Sequence, residues 1–177
     1  IYKRTTVGSL RFHSERVVCS EDLPFQVAML LNSNRVTYIP DAQYYYCLNG
    51  SSLSNTFGFE KCFRYFTLAK VIKEYYPREL EHRVWRFFFT SCQNFIRGLV
   101  RSNLTWKEKR EWLMKLCGND EIISCLKAYK QWLGEKPHSR LYAQYYYTLT
   151  NGNVALLYLT ALIDQYVICD KLGLKRL

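Results

Sequence analysis

The sequence predicts an α+β fold that is predominantly α, with a small strand–helix–strand unit in residues 1–56 followed by an irregular helical bundle in 57–177. Three observations carry this. The chain changes character near residue 56, from short alternating segments and turns to long stretches with helical spacing of apolar residues. Arg35 to Ile39 alternates, with Val36 and Tyr38 opposite Thr37 and Ile39, as a half-buried strand does. Helix-start signals then recur through the second part, clearest in the capping box Thr105-Trp106-Lys107-Glu108.

In chain order, Ser20 is expected to cap a helix starting at Glu21, with Pro24 in the first turn, where a missing N–H costs little. Phe25, Ala28, Met29 and Asn32 fall on one face, and Asn32-Ser33-Asn34 ends the helix. A strand over 35–39, a turn at Pro40-Asp41, a short aromatic strand over 43–47 and a loop over 48–55 follow. About six helices are expected beyond. In the first, Phe59, Cys62, Phe63, Phe66, Ala69 and Ile72 recur at helical spacing until Pro77. The second, 78–102, carries two apolar stripes, the mark of a central bundle helix. A third starts at the Thr105 capping box. The fourth is capped by Asn119 or Asp120, turns Ile122, Ile123, Leu126, Tyr129 and Leu133 inward, and is closed by Gly134. The last two cover 139–149 and 154–172. Helix lengths are uneven and no period recurs, which favours a bundle over a solenoid.

Composition narrows the function classes. Hydrophobic residues make up 49% and aromatics 16% of 177 residues, which excludes disorder. The longest apolar run, Val154 to Ile163, stops at Asp164 and is too short to span a bilayer. Seven Cys occur without C-x-x-C or His-paired metal spacing, and read as reduced, buried, small hydrophobes of a cytoplasmic protein. The glycosylation-like triplets at Asn49 and Asn103 read as chance. Net charge is +10, almost all of it in 57–177, where twenty Lys and Arg face eleven Asp and Glu. Such a surface suits an anionic partner or is simply the solvated face of helices. The chain opens on Ile1 without a signal segment and is expected to begin inside a longer protein.

Glu21-Asp22 is the candidate catalytic pair. Both fall in a predicted helix first turn, where free N–H groups stabilise negative charge and leave a carboxylate able to accept a proton. Helix first turns favour acidic residues anyway, so capping is the competing explanation for the dipeptide. Its surroundings add specificity. Ile1-Tyr2-Lys3-Arg4, Leu10-Arg11-Phe12, Glu21-Asp22-Leu23-Pro24-Phe25, Leu30-Leu31, Val36-Thr37-Tyr38-Ile39-Pro40, Tyr44-Tyr45-Tyr46 and Gly50-Ser51-Ser52-Leu53-Ser54 occur in that order. As an ordered set over 1–56, they resemble the acceptor-side half of family-2 glycosyltransferases, the inverting GT-A enzymes of bacterial surface and capsular polysaccharide synthesis.

The resemblance implies that 1–56 is the C-terminal part of a GT-A catalytic domain and 57–177 a basic helical domain. It implies transfer of one sugar from a nucleotide-sugar donor to a saccharide or lipid-linked acceptor hydroxyl. Asp22 would be the general base, and Glu21 would place the acceptor. Tyr44 and Tyr46 share a strand face and would line the acceptor cleft or pack in the core. Ser51, Ser52 and Ser54 would lie in a loop near the donor diphosphate. Cys47 stands where relatives often have a basic residue, and the Gln/Arg-x-x-Arg-Trp pattern of processive synthases is absent. No D-x-D occurs in the chain. The divalent metal (Mg or Mn) and the nucleotide are therefore expected upstream of Ile1, with no cofactor held here, and this chain alone is expected to be inactive. Peripheral contact with the anionic inner face of the plasma membrane is expected from the arginines at 78, 83, 86, 97 and 101 and from Lys107, Lys109, Arg110 and Lys115. Nucleic acid is not expected as a partner, because aromatics follow core spacing and no binding motif appears. The competing reading is a basic helical binding module, for a membrane surface, a partner protein or a nucleic acid, without catalysis.

Overall fold

The structure is a computed structural model that describes residues 4–37, 58–135 and 139–169, with side chains described as far as Tyr166. Among the described residues the regular structure is helical, and there is no strand. Residues 35–37 carry no regular structure. The rest of the strand expected over 35–39, the strand over 43–47 and the loop over 48–55 lie outside the described residues. Of the strand–helix–strand unit expected there, the described residues contain a helix and no strand.

The chain divides into two compact units, Ile1–Tyr76 and Pro77–Leu177. The compositional boundary expected at residue 56 falls in the stretch outside the described residues. In the first unit, a short helix α1 (Arg4–Val7) precedes α2 (Asp22–Leu31), and α3 (Phe59–Lys73) packs on α2. The core joins Val18, Phe25, Ala28 and Met29 to Cys62, Phe66, Leu68, Ala69 and Ile72, all buried. Phe12 stacks on Phe25 with ring centroids 4.3 Å apart, which anchors the segment between α1 and α2. The face read for α2 is the one that packs. Asn32, expected there, is exposed and turns its amide back onto the Ala28 carbonyl at 2.8 Å.

The second unit is built on α4 (Glu81–Arg101), entered through a 3-10 turn at Arg78–Leu80. Val84, Trp85, Phe88, Phe89, Cys92, Phe95, Ile96, Leu99 and Val100 are all buried, so α4 is apolar on two sides and central, as its stripes predict. Around it lie α5 (Trp106–Cys117), α6 (Asp120–Ala128), α7 (Arg140–Thr150) and α8 (Val154–Leu162). Each of these four is capped by a side chain at its start: Thr105 in a full capping box with Glu108, Asn119 to the Ile122 amide, Ser139 to the Tyr142 amide and Asn153 to the Leu156 amide. Two π-helical turns, Gln131–Glu135 and Ile163–Cys169, follow α6 and α8.

Several local expectations are corrected. The α-helix expected to run to Gly134 stops at Ala128, and Gly134 is not its cap. A Cβ there would stand 2.7 Å from the Tyr146 ring, so glycine is required by the close approach of α7. The row of basic residues is not uniformly a solvated face. Arg97 pairs with Asp164, Lys109 is buried with its ammonium on the Val100 carbonyl at 2.9 Å, Arg86 donates to the Trp132 carbonyl at 3.2 Å, and Lys115 pairs with Glu111. Lys109 thereby satisfies one of the carbonyls that the end of α4 leaves without a helical partner. The Cys residues at 19, 62, 92, 117 and 125 are free thiols, two of them buried and three half-buried.

Candidate functional site

The segment leading into α2 turns sharply at Ser20, whose backbone is left-handed (φ 57°). The Ser20 carbonyl accepts from the Leu23 amide at 3.0 Å. The helix begins at Asp22, one residue later than the capping pattern predicts, and Ser20 is not its N-cap. Glu21 holds that position, with helical dihedrals and no side-chain capping bond. Pro24 is buried in the first turn, where its ring packs and its missing N–H is tolerated.

Asp22 is exposed, and its Oδ2 accepts from Gln26 Nε2 at 3.1 Å, one turn along α2. Glu21 is half-buried beside it. Neither carboxylate is sealed in the core, and the Gln26 amide holds that of Asp22 on the exposed side of the helix.

Helix α3 supplies groups the sequence did not point to. The Cys19 thiol donates weakly to the Lys61 carbonyl at 3.8 Å, and Tyr65 lies on the same face of α3 as Lys61, near Cys19 and Ser20. Burial raises the Cys19 pKa, while the charges of Arg64 and Lys61 oppose the rise. Cys19 therefore stays a neutral thiol at neutral pH rather than a nucleophilic thiolate. Burial also raises the Tyr65 pKa, with the Cys19 charge adding to it and the nearby Ser20 hydroxyl opposing it. The residues 61, 64 and 65 share a helix face at i, i+3, i+4 spacing, which the sequence does disclose. That this face meets the Cys19-Ser20 turn, some forty positions earlier, is a tertiary fact.

Tyr44, Tyr46, Ser51, Ser52 and Ser54 lie outside the described residues, so the structure brings together only Glu21 and Asp22 of the expected set. Among the described residues no three His, Cys, Asp or Glu side chains gather as a metal would require. Likewise no described helix is long and apolar enough to cross a membrane. No family model matches the chain, and neither a curated protein nor a solved structure matches it.

Proposed function

We propose that this chain is the acceptor-side part of a nucleotide-sugar-dependent glycosyltransferase, with Asp22 as the general base. The ordered motifs of 1–56 support the reading, and one structural observation carries it: the Asp22 carboxylate is exposed at the start of α2 and is not spent as a capping group. In the proposed step the acceptor hydroxyl oxygen attacks the anomeric carbon of the donor. Its proton passes to the Asp22 carboxylate, a new C–O bond forms, and the nucleoside diphosphate leaves with the electrons of the broken bond. The hydroxyl is a poor nucleophile until that proton is lost, and a positioned carboxylate contributes roughly 10²–10⁴-fold. Holding both substrates in line supplies much of the remainder. Glu21 orients the acceptor, and Gln26 holds the Asp22 carboxylate in place.

The test is Asp22→Asn in the whole protein that contains this chain, assayed for nucleoside diphosphate release and sugar incorporation against a panel of nucleotide sugars and acceptors. Transfer falls by at least roughly 10²-fold, while donor affinity stays near wild type. Transfer at the wild-type rate in the Asp22→Asn protein would overturn the assignment. The competing reading, a binding module without catalysis, is favoured by a separate feature, the outward face of α8.

A further inference from the structure

Helix α8 and the turn after it are built inside out. Thr160, Asp164 and Gln165 are buried at 3–4% exposure, together with Leu157 and Ala161. Leu156, Leu159, Ile163 and Tyr166 face outward at 39%, 50%, 44% and 51% exposure, and Ala155 is exposed with them. Within α8, Ala155, Leu156 and Leu159 fall in an arc of roughly 100° at 3.6 residues per turn, and Ile163 and Tyr166 continue the outward face on the π-helical turn that follows. The one acid in 154–169, Asp164, is turned into the unit, where Arg97 Nε and the Tyr145 hydroxyl bond its Oδ2 at 2.5 and 2.9 Å. The outward stripe therefore carries no charge.

Its border is aromatic and basic. Trp106, half exposed at 50%, packs edge-on against Tyr158 of α8 with centroids 4.7 Å apart. That contact sets the first turns of α5 beside the stripe, and Lys107 and Arg110 there are exposed. The acids of the same turns are engaged elsewhere: Glu108 folds back onto Thr105, and Glu111 pairs with Lys115. Arg97 ties α4 to Asp164, and Arg101, one turn further along α4, is exposed.

We propose that this face docks on an anionic phospholipid surface, with α8 lying in the plane of the interface and Trp106 and Tyr166 at headgroup level. The stripe is too short to span a bilayer, but its apolar arc with a basic border is what an interfacial helix presents. Charge selects lipid over a second copy of the chain. A copy would bring the same Arg101, Lys107 and Arg110 against themselves, on a chain of net charge +10. An anionic leaflet is complementary to all three, and exposed Trp and Tyr prefer the headgroup zone.

The test uses the full chain and vesicles of phosphatidylglycerol mixed with phosphatidylcholine, against phosphatidylcholine alone, read by co-sedimentation. The chain binds the anionic vesicles, and Leu159→Gln with Ile163→Gln weakens binding at least roughly tenfold, as loss of two buried aliphatic side chains requires. Both positions are exposed, so the circular dichroism melt is unchanged. A second pair, Leu156→Gln with Tyr166→Ser, gives the same loss, and brominated lipid quenches Trp emission less in Trp106→Phe. Failure to bind the anionic vesicles overturns the proposal. So does binding that survives both pairs of changes and is lost only on Lys107→Glu with Arg110→Glu, since that would be charge without insertion. Self-association that the Leu159→Gln/Ile163→Gln pair abolishes, without vesicle binding, would make a second copy the occupant and also overturn it. The Asp22→Asn chain binds vesicles normally, so the outcome is independent of the catalytic reading.

Discussion

Replacing Asp164 is the most informative perturbation of the second unit. Its side chain is 4% exposed, and one oxygen accepts from both Arg97 and Tyr145. The two donors are not equivalent. The Arg97 side chain is 32% exposed, so water replaces most of what it loses, and its share sits near the lower end of a charged hydrogen bond, about 1.5 kcal/mol. The Tyr145 side chain is fully buried, and its hydroxyl without this acceptor costs about 1–3 kcal/mol. Asp164→Leu removes both interactions and is expected to destabilise the unit by about 3–4 kcal/mol, in the range for breaking a buried pair by deleting one partner. Asp164→Asn keeps an acceptor oxygen and loses less, about 1–2 kcal/mol. Tyr145→Phe, which leaves the ion pair, loses about 1 kcal/mol. All four tryptophans of the chain lie between residues 85 and 132, so Trp emission during urea or thermal unfolding of the full chain reads this unit alone. At roughly 4–8 °C per kcal/mol for a unit of this size, Asp164→Leu lowers the Tm by at least about 12 °C. Adding Arg97→Met to Asp164→Leu recovers part of the loss, because the uncompensated guanidinium goes with its partner. A midpoint change below about 1 kcal/mol for Asp164→Leu, or an Asn variant less stable than the Leu one, would refute this account.

Three further outcomes are expected. Gly134→Ala pushes a Cβ to within 2.7 Å of the Tyr146 ring, which is 2% exposed and cannot swing away, and destabilises by about 1–3 kcal/mol in urea unfolding followed by Trp emission. An Ala variant as stable as wild type would mean α7 can shift freely. Lys109→Met keeps the apolar stem and removes the donor to the Val100 carbonyl, with a loss of about 1.5–3 kcal/mol, checked by the same unfolding curves. The bonds from the Thr105 hydroxyl and amide hold the Glu108 pKa below the ordinary carboxylate value. A lowered folded-state pKa means this contribution is complete above the unfolded value and is lost as pH falls through the lowered one. The stability difference between wild type and Glu108→Gln therefore shrinks on acidification below the usual carboxylate range, and a difference that is flat with pH would exclude the charge as its source.

What was legible in the sequence is local. Cap chemistry at Thr105 and Asn119 and the apolar spacing of α3 and α4 located helices correctly, because an N-cap bond or an i, i+4 row involves neighbours in the chain. Glu21-Asp22 was placed at a helix start for the same reason, one residue off because the left-handed turn at Ser20 shifts the first helical residue.

At α8, Lys109 and Gly134 the tertiary structure alone decided what faces in, since that depends on partners far along the chain. The apolar run 154–163 is too short to span a bilayer, and much of it points outward. Arg97 lies 67 residues earlier and neutralises Asp164 inside, so the side carrying Asp164 and Gln165 packs together with Leu157, Thr160 and Ala161, and Leu156, Leu159 and Ile163 are left outward. Lys109 reads as a surface charge, and is buried because the end of α4 offers it an unpaired carbonyl. Gly134 reads as a helix stop, and is required only because Tyr146 approaches from α7. Periodicity reports which residues of a helix share a side. Which side meets the core is set by charge and shape at contacts between segments that local spacing does not encode.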